Sequence, residues 1–256
     1  MALFKTVSSD LLIKGELVNI KDKKKFDKFN ESILGLGQID AKSAPVNALS
    51  VIFDLEGFTN FCKQIDPQLG VPEYLSVFLK WIFSEIKIEL IGTEHLEGYE
   101  TYADLPFLSK FLGDGVLFLW NTEGMQEIEI VNIVLSMHEI CNKYIAEFLP
   151  KISKNIISPP MKLRCGIARG LIYSIGNGKD YVGPCINMSA RLQKLNSLTF
   201  CFSRRGINPA LMIDQYKKAF LIKMVDIRGI GSSELVCLLK KEYDKLDPET
   251  KVKFID

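Results

Sequence analysis

Apolar residues come in short bursts along this chain, and their spacing changes from burst to burst. Residues 48–53 are apolar without alternation, as expected of a strand buried on both faces. Residues 59–64 fit a short helix that Pro67 would break. Residues 71–90 fit a long amphipathic helix with Tyr74, Val77, Phe78, Trp81, Ile82 and Phe83 on one broad side. Residues 92–104 are polar and aromatic and read as a loop or insertion. Residues 108–112 and 116–120 flank Gly113-Asp114-Gly115, which predicts a hairpin because glycine accepts positive φ. A second long helical pattern covers 125–149 and is closed by Pro150, with 151–160 as a linker. Further on, 163–167 and 171–175 suggest another strand pair, 176–184 a loop, 185–195 a helix and 199–203 a short strand. Residues 209–218 suggest a helix, and 221–225 with 234–239 close the sheet. This order predicts an α+β fold, with helices packed on one face of a mostly antiparallel sheet. The expected organisation is an N-terminal extension (1–45), one core domain (46–241) and a C-terminal surface tail (242–256).

Bulk properties narrow the function classes. The chain has 256 residues, enough for one large domain or a domain with extensions. Its formal charge is +1, which implies no general attraction to nucleic acid or to membranes. The basic run at 21–28 is interleaved with Asp22 and Asp27 and reads as solvated surface. The longest apolar region is interrupted by Lys80, Glu85, Lys87 and Glu89, so it is amphipathic and not membrane-spanning. Residues 1–13 lack a sustained apolar core, so no secretory signal is expected there. The six cysteines form no C-x-x-C pair and have no histidine at zinc-ligand spacing. They are expected to be reduced core residues, which suits a cytoplasmic protein. His95 and His138 lie near no motif and are expected to be structural or surface residues.

The chemistry concentrates around V-I-F-D-L-E-G-F-T (51–59). There a strand delivers Asp54 into a glycine-containing turn and a helix start. The acid can hold a divalent cation through oxygen, and the free N–H groups can hold phosphate oxygens. Taken alone, the stretch reads equally as a strand and a helix cap. Asp114 sits in the Gly-Asp-Gly turn. If the first strand pairs with that hairpin, the two carboxylates meet at one sheet edge and repel unless a cation lies between them. Asn187 and Arg191, in I-N-M-S-A-R, are i and i+4 and share a helix face. A neutral donor beside a fixed cation can stabilise a pentavalent phosphate and a leaving pyrophosphate. The bland alternative is a solvated helix face. The preceding G-N-G-K-D (176–180) is glycine-rich but is not a Walker A loop.

The blocks F-D-L-E-G-F-T (53–59), K-F-L-G-D-G (110–115), G-I-A-R-G (166–170) and Y-V-G-P-C-I-N-M-S-A-R (181–191) resemble, in this order, the signature blocks of class III nucleotidyl cyclases. Within that family, the stretch 53–64 and the insertion before Lys110 look most like the bacterial pyrimidine cyclases of the Pycsar anti-phage systems. The resemblance implies a ferredoxin-like core and a head-to-tail homodimer with two shared active sites. It implies two divalent cations (Mn²⁺ or Mg²⁺) on Asp54, Asp114 and the Leu55 carbonyl, and triphosphate contacts from Gly57, Phe58 and Thr59. Lys110 and Asp180 match the base-reading pair. Asn187 would orient the ribose and Arg191 would stabilise the transition state, both supplied by the other subunit.

The implied product is a 3′,5′-cyclic nucleotide with pyrophosphate. UTP to cUMP is favoured, CTP to cCMP comes next, and cAMP synthesis from ATP is the alternative. A catalytically silent nucleotide-binding dimer is the reading from another class. The product would be read by a separate cyclic-nucleotide effector, with no nucleic-acid or membrane partner. Two departures stand out. Ala168 occupies a position where the family often has His. The family's triphosphate lysine falls on Ile230 in R-G-I-G (228–231), with Arg228 the nearest cation.

Overall fold

A computed structural model of the chain describes residues 28–64, 66–95, 98–195 and 197–255. The N-terminal segment 1–13 and nearly all of the basic run 21–28 lie outside the described residues. Two compact units are present. Among the described residues, the small one comprises 28–43 together with 175–180, and the large one spans 44–174 and 181–255. In the small unit, a short 3₁₀ helix (Glu31–Leu34) is capped by the Asn30 side chain.

The large unit is built on β1 (Pro45–Glu56), a twelve-residue strand buried over most of its length. Following it come α1 (Phe58–Phe61), α2 (Pro67–Leu90), β2 (Ile91–His95), β3 (Gly98–Thr101), β4 (Leu108–Phe111) and β5 (Gly115–Asn121). Next are α3 (Glu127–Lys143), β6 (Lys162–Ile175), β7 (Asp180–Val182), α4 (Pro184–Leu192) and β8 (Phe200–Ser203). The last strands are β9 (Phe220–Ile227), β10 (Gly231–Leu239) and β11 (Phe254–Ile255). The main sheet runs β11-β9-β10-β8-β6-β1-β5-β4. Its pairs are antiparallel except β6 with β8. The α+β class is therefore as expected.

Side-chain alternation divides the sheet into two faces. Leu49, Val51, Phe53 and Leu55 of β1 join Val116, Phe118 and Trp120 of β5 in one apolar cluster, covered by α2 and α3. Ala48 and Ile52, with Leu117 and Leu119, point the other way and meet Cys185, Met188 and Leu192 of α4. Helices thus cover both faces, not one. The short helix α4 sits on the face where β1 also places Ser50 and Asp54.

Several local expectations change. Helix α2 starts at Pro67, which is tolerated at a first helical position because the N–H there needs no partner. Val77 and Phe83, expected on its buried side, are about two-fifths exposed (42% and 41%). The second long helix is not closed by Pro150. A π turn (Tyr144–Phe148) widens it, and Pro150 enters at the start of a further short helix (Leu149–Ile152). The expected 92–104 loop contains the two-stranded β2–β3 hairpin. The strand pair expected at 163–175 is the single strand β6, paired with β1 along its length. Residues 242–256 do not form a loose tail: β11 adds to β9, and Leu246 and Phe254 are buried.

All six cysteines are free, and all but Cys62 are buried. Burial pushes the Cys185 thiol up to about 11 and Cys237 up to about 12, as packing groups require. Among the described residues, no helix is long and apolar enough to cross a membrane.

Candidate active site

Asp54 lies near the end of β1 on the lightly covered face, and its side chain is nearly buried (3% exposed). Directly opposite on β6 stands Arg164. Opposed residues of an antiparallel pair share a face, so the guanidinium meets the carboxylate. Its Nε and Nη2 donate to Asp54 Oδ2 at 3.1 and 2.6 Å. The other oxygen, Oδ1, has the Lys194 ammonium at 3.8 Å.

Asp114 enters from the β4–β5 turn. Gly115 pairs with Asp54, and the Leu55 N–H donates to the Asp114 carbonyl at 2.8 Å. This register needs glycine: a methyl group at Gly115 would lie 2.0 Å from the Phe53 carbonyl oxygen. The two acids therefore meet at one sheet edge, as the hairpin pattern predicts.

Beyond β1 the chain turns at Gly57, whose φ of 84° is left-handed and favours glycine. In α1, the Phe58 ring packs into the apolar cluster, while Thr59 stays exposed. What this turn can offer a ligand is therefore its backbone and the Thr59 hydroxyl.

Helix α4 carries Asn187 and Arg191 on its exposed face and buries Cys185, Met188, Ser189 and Leu192. Two contacts dock it. A methyl group at Gly166 would lie 2.2 Å from the Ser189 carbonyl oxygen and 2.4 Å from the Gln193 nitrogen, so only glycine lets α4 approach so closely. The Ser189 hydroxyl donates to the Ile186 carbonyl and accepts from Ser50 of β1 at 2.7 Å.

These elements enclose an open cleft of about 510 Å³, in which Asp54, Asp114, Asn187 and Arg191 of one chain share the lining with Lys194 and Ile230. Leu55, Gly57, Phe58 and Thr59 lie in and beyond the last turn of β1, outside that lining. Lys110 is exposed on the edge strand β4, opposite Leu117. Asp180 groups with the small unit. Arg228 is exposed and does not line the cleft, whereas Gly229 and Ile230 do.

Sequence reading missed Arg164, Gln193 and Lys194. Arg164 could have been found from register, since it stands two residues before G-I-A-R-G and falls opposite Asp54. Gln193 and Lys194 follow Arg191 in the turn that ends α4. Neither histidine joins the site. His95 is exposed, and His138 packs among Phe200, Tyr216 and Phe220.

Among the described residues, no cluster of three or more His, Cys, Asp or Glu could hold a metal ion. The donor set instead suits a cation that shares two carboxylates with substrate phosphates and water, the ordinary regime for Mg²⁺. Gln193, which lines the cleft, has a buried side-chain carbonyl oxygen with no hydrogen-bond partner among the described residues.

Neither a family model nor a curated protein sequence matches the chain. Solved structures do. The adenylyl cyclase CyaB from P. aeruginosa aligns at 16% identity with a TM-score of 0.55, over 77% of this chain and 95% of its own. The guanylyl cyclase Cya2 aligns at 17% identity with a TM-score of 0.56, over 77% of this chain and 92% of its own. An adenylate/guanylate cyclase/hydrolase from Silicibacter pomeroyi aligns at 14% identity with a TM-score of 0.50, over 77% and 98%. At such identities the likeness is one of fold, and the fold of this chain is that of the class III adenylyl and guanylyl cyclases.

Proposed function

We propose that this chain is a metal-dependent nucleotidyl cyclase, converting a nucleoside triphosphate into a 3′,5′-cyclic nucleotide and pyrophosphate. One observation carries the reading: two carboxylates, an amide and an arginine converge on one cleft of a cyclase fold. Asp54 and Asp114, with the Leu55 carbonyl, are the groups that would hold two divalent cations. When bound, these would lower the pKa of the ribose 3′-hydroxyl and neutralise the phosphates. Arg164 and the β1–β5 register hold the two acids in place. Backbone groups of Gly57 and Phe58, with Thr59, contact the triphosphate. Arg191 donates to the α-phosphate as negative charge grows there, and Asn187 fixes the ribose so that its 3′-oxygen faces the phosphorus. On the sequence resemblance both act across a head-to-tail homodimer, at the partner's acids, whereas within one chain they line the cleft beside Asp54 and Asp114. Lys110 and Asp180 read the base. A donor beside an acceptor fits the paired edges of uracil, cytosine or adenine. UTP, giving cUMP, is the preferred substrate on the sequence resemblance to Pycsar pyrimidine cyclases. A role in anti-phage signalling through a separate cyclic-nucleotide effector rests on the same resemblance.

Purified protein incubated with Mn²⁺ and each of the four triphosphates separately, with products resolved, tests this reading. Cyclisation of UTP is expected. Exclusive cyclisation of ATP overturns the pyrimidine preference and leaves a cyclase. A silent nucleotide-binding dimer is the second reading, favoured by the two cations already on Asp54. It predicts triphosphate binding without pyrophosphate release. The dimer has its own test. Asp54→Ala and Arg191→Ala are each expected to be inactive alone and to recover partial activity when mixed. No recovery despite demonstrated subunit exchange excludes the shared site.

A further inference from the structure

Asp54 is ligated unevenly. Oδ2 takes both hydrogen bonds from Arg164, whose side chain is largely buried (18% exposed). Among the described residues, Oδ1 faces only the Lys194 ammonium, at 3.8 Å on a side chain that is 58% exposed. The first contact is short, bidentate and fixed by strand register. The second is long and solvated, the kind of pair that contributes little and exchanges readily. A cation entering between Asp54 and Asp114 therefore has one oxygen of Asp54 to take, and Lys194 stands in front of it. The cleft lining holds two cationic side chains, Arg191 and Lys194. The β9–β10 turn contributes Gly229 and Ile230 there, and no charge.

We infer that Lys194 is a placeholder on Asp54 that a divalent cation displaces, and that the released ammonium then binds the β- and γ-phosphates. This rests on the cyclase reading. Lys194 has the reach for both positions: it lies just past the end of α4 on a flexible four-carbon stem, a compact charge suited to a phosphate without fixed geometry. Before metal binds, the ammonium offsets the repulsion between the two acids. Once displaced, it adds positive charge on the phosphate side of the cleft, where pyrophosphate must be held and then released. Lys194 is thus assigned a phosphate-binding role, separate from that of Arg191.

The test uses the whole chain in two titrations: Mn²⁺ alone, followed by the EPR signal of free ion, and pyrophosphate at saturating Mn²⁺, followed calorimetrically. Replacing the lysine in Lys194→Met is expected to tighten Mn²⁺ about three- to fivefold, the scale of an exposed ion pair. The same variant is expected to weaken pyrophosphate about tenfold, the scale of a charge-assisted hydrogen bond. Lys194→Arg should follow the wild type in the first titration, and Asp54→Asn should lose Mn²⁺. The opposite signs matter, because a merely structural defect weakens both ligands. If Lys194→Met matches the wild type in either titration while Asp54→Asn loses Mn²⁺, the lysine proposal falls and the cyclase reading stands. If the wild type binds neither Mn²⁺ nor pyrophosphate, both fall.

Discussion

The two faces of the central sheet use the same strands and are filled in opposite ways. One face is roofed by α2 and α3 with a continuous aromatic cluster. Among its buried polar groups, Tyr74 and Tyr144 form a sealed pair. The Tyr144 hydroxyl donates to the Pro160 carbonyl at 2.5 Å and accepts from Tyr74 at 2.7 Å, so both hydroxyls are satisfied inside the protein. Burial raises both phenols far beyond the usual range, so they stay neutral. The other face carries short helices, α4 among them, and the open cleft. Among its buried polar groups is Asp54, half-saturated by Arg164 and half turned toward an exchangeable lysine. A buried polar group whose bonds are complete rigidifies a core, whereas one with spare capacity facing a cleft is available for chemistry.

Substitutions on each face should therefore separate stability from activity. Arg164→Leu is expected to have the largest effect. It leaves Asp54 buried without its principal partner, lowering stability by about 3 kcal/mol and abolishing cyclisation. Denaturant unfolding beside product assays measures both. Gly166→Ala comes next. A methyl group there meets backbone atoms that cannot move aside, so α4 must lift from the sheet, at about 2 kcal/mol. Activity should fall with it, because Asn187 and Arg191 ride on that helix. On the sealed face, Tyr144→Phe strands the Pro160 carbonyl and takes the acceptor from Tyr74, costing about 1–2 kcal/mol. Cyclisation per folded molecule should stay unchanged, and a loss there would dissolve the distinction between the faces.

The smallest effect concerns His138, also on the sealed side. Its ring is buried, with the Glu139 carboxylate 3.3 Å from Nδ1. Burial lowers its pKa, against a smaller opposing pull from Glu139. The unfolded chain, titrating near 6.5, then binds the proton more readily than the folded one. Stability is full above that pH and is lost as pH falls below it. His138→Phe should flatten the dependence of the unfolding free energy between pH 5 and 7, measured by urea titration. An unchanged slope would mean that this ring is not the group responsible.

Much of this organisation was legible beforehand, for physical reasons that differ by element. Residues 48–53 read as a doubly buried strand because β1 lies mid-sheet and contacts apolar groups on both sides. Gly113-Asp114-Gly115 read as a turn because its backbone demands are local, with Gly113 at φ 96°. The break expected between 167 and 171 is absent, because β6 runs on unbroken against the long strand β1. Pro150 misled because a π turn upstream absorbs it. The C-terminal residues looked like surface because a two-residue strand carries almost no pattern of its own.

The sequence by itself determined which residues are candidates for the chemistry: acids at strand ends and turns, and an amide and an arginine one helical turn apart. These follow from residue type and short spacing, which local backbone geometry converts directly into position. Only the tertiary structure decided that Asp54 faces the thinly covered side of the sheet, that Arg164 holds one of its oxygens, and that Lys194 waits at the other. Those contacts join residues more than a hundred positions apart: strand register fixes the first and the docking of α4 against Gly166 places the second, properties that no single segment contains.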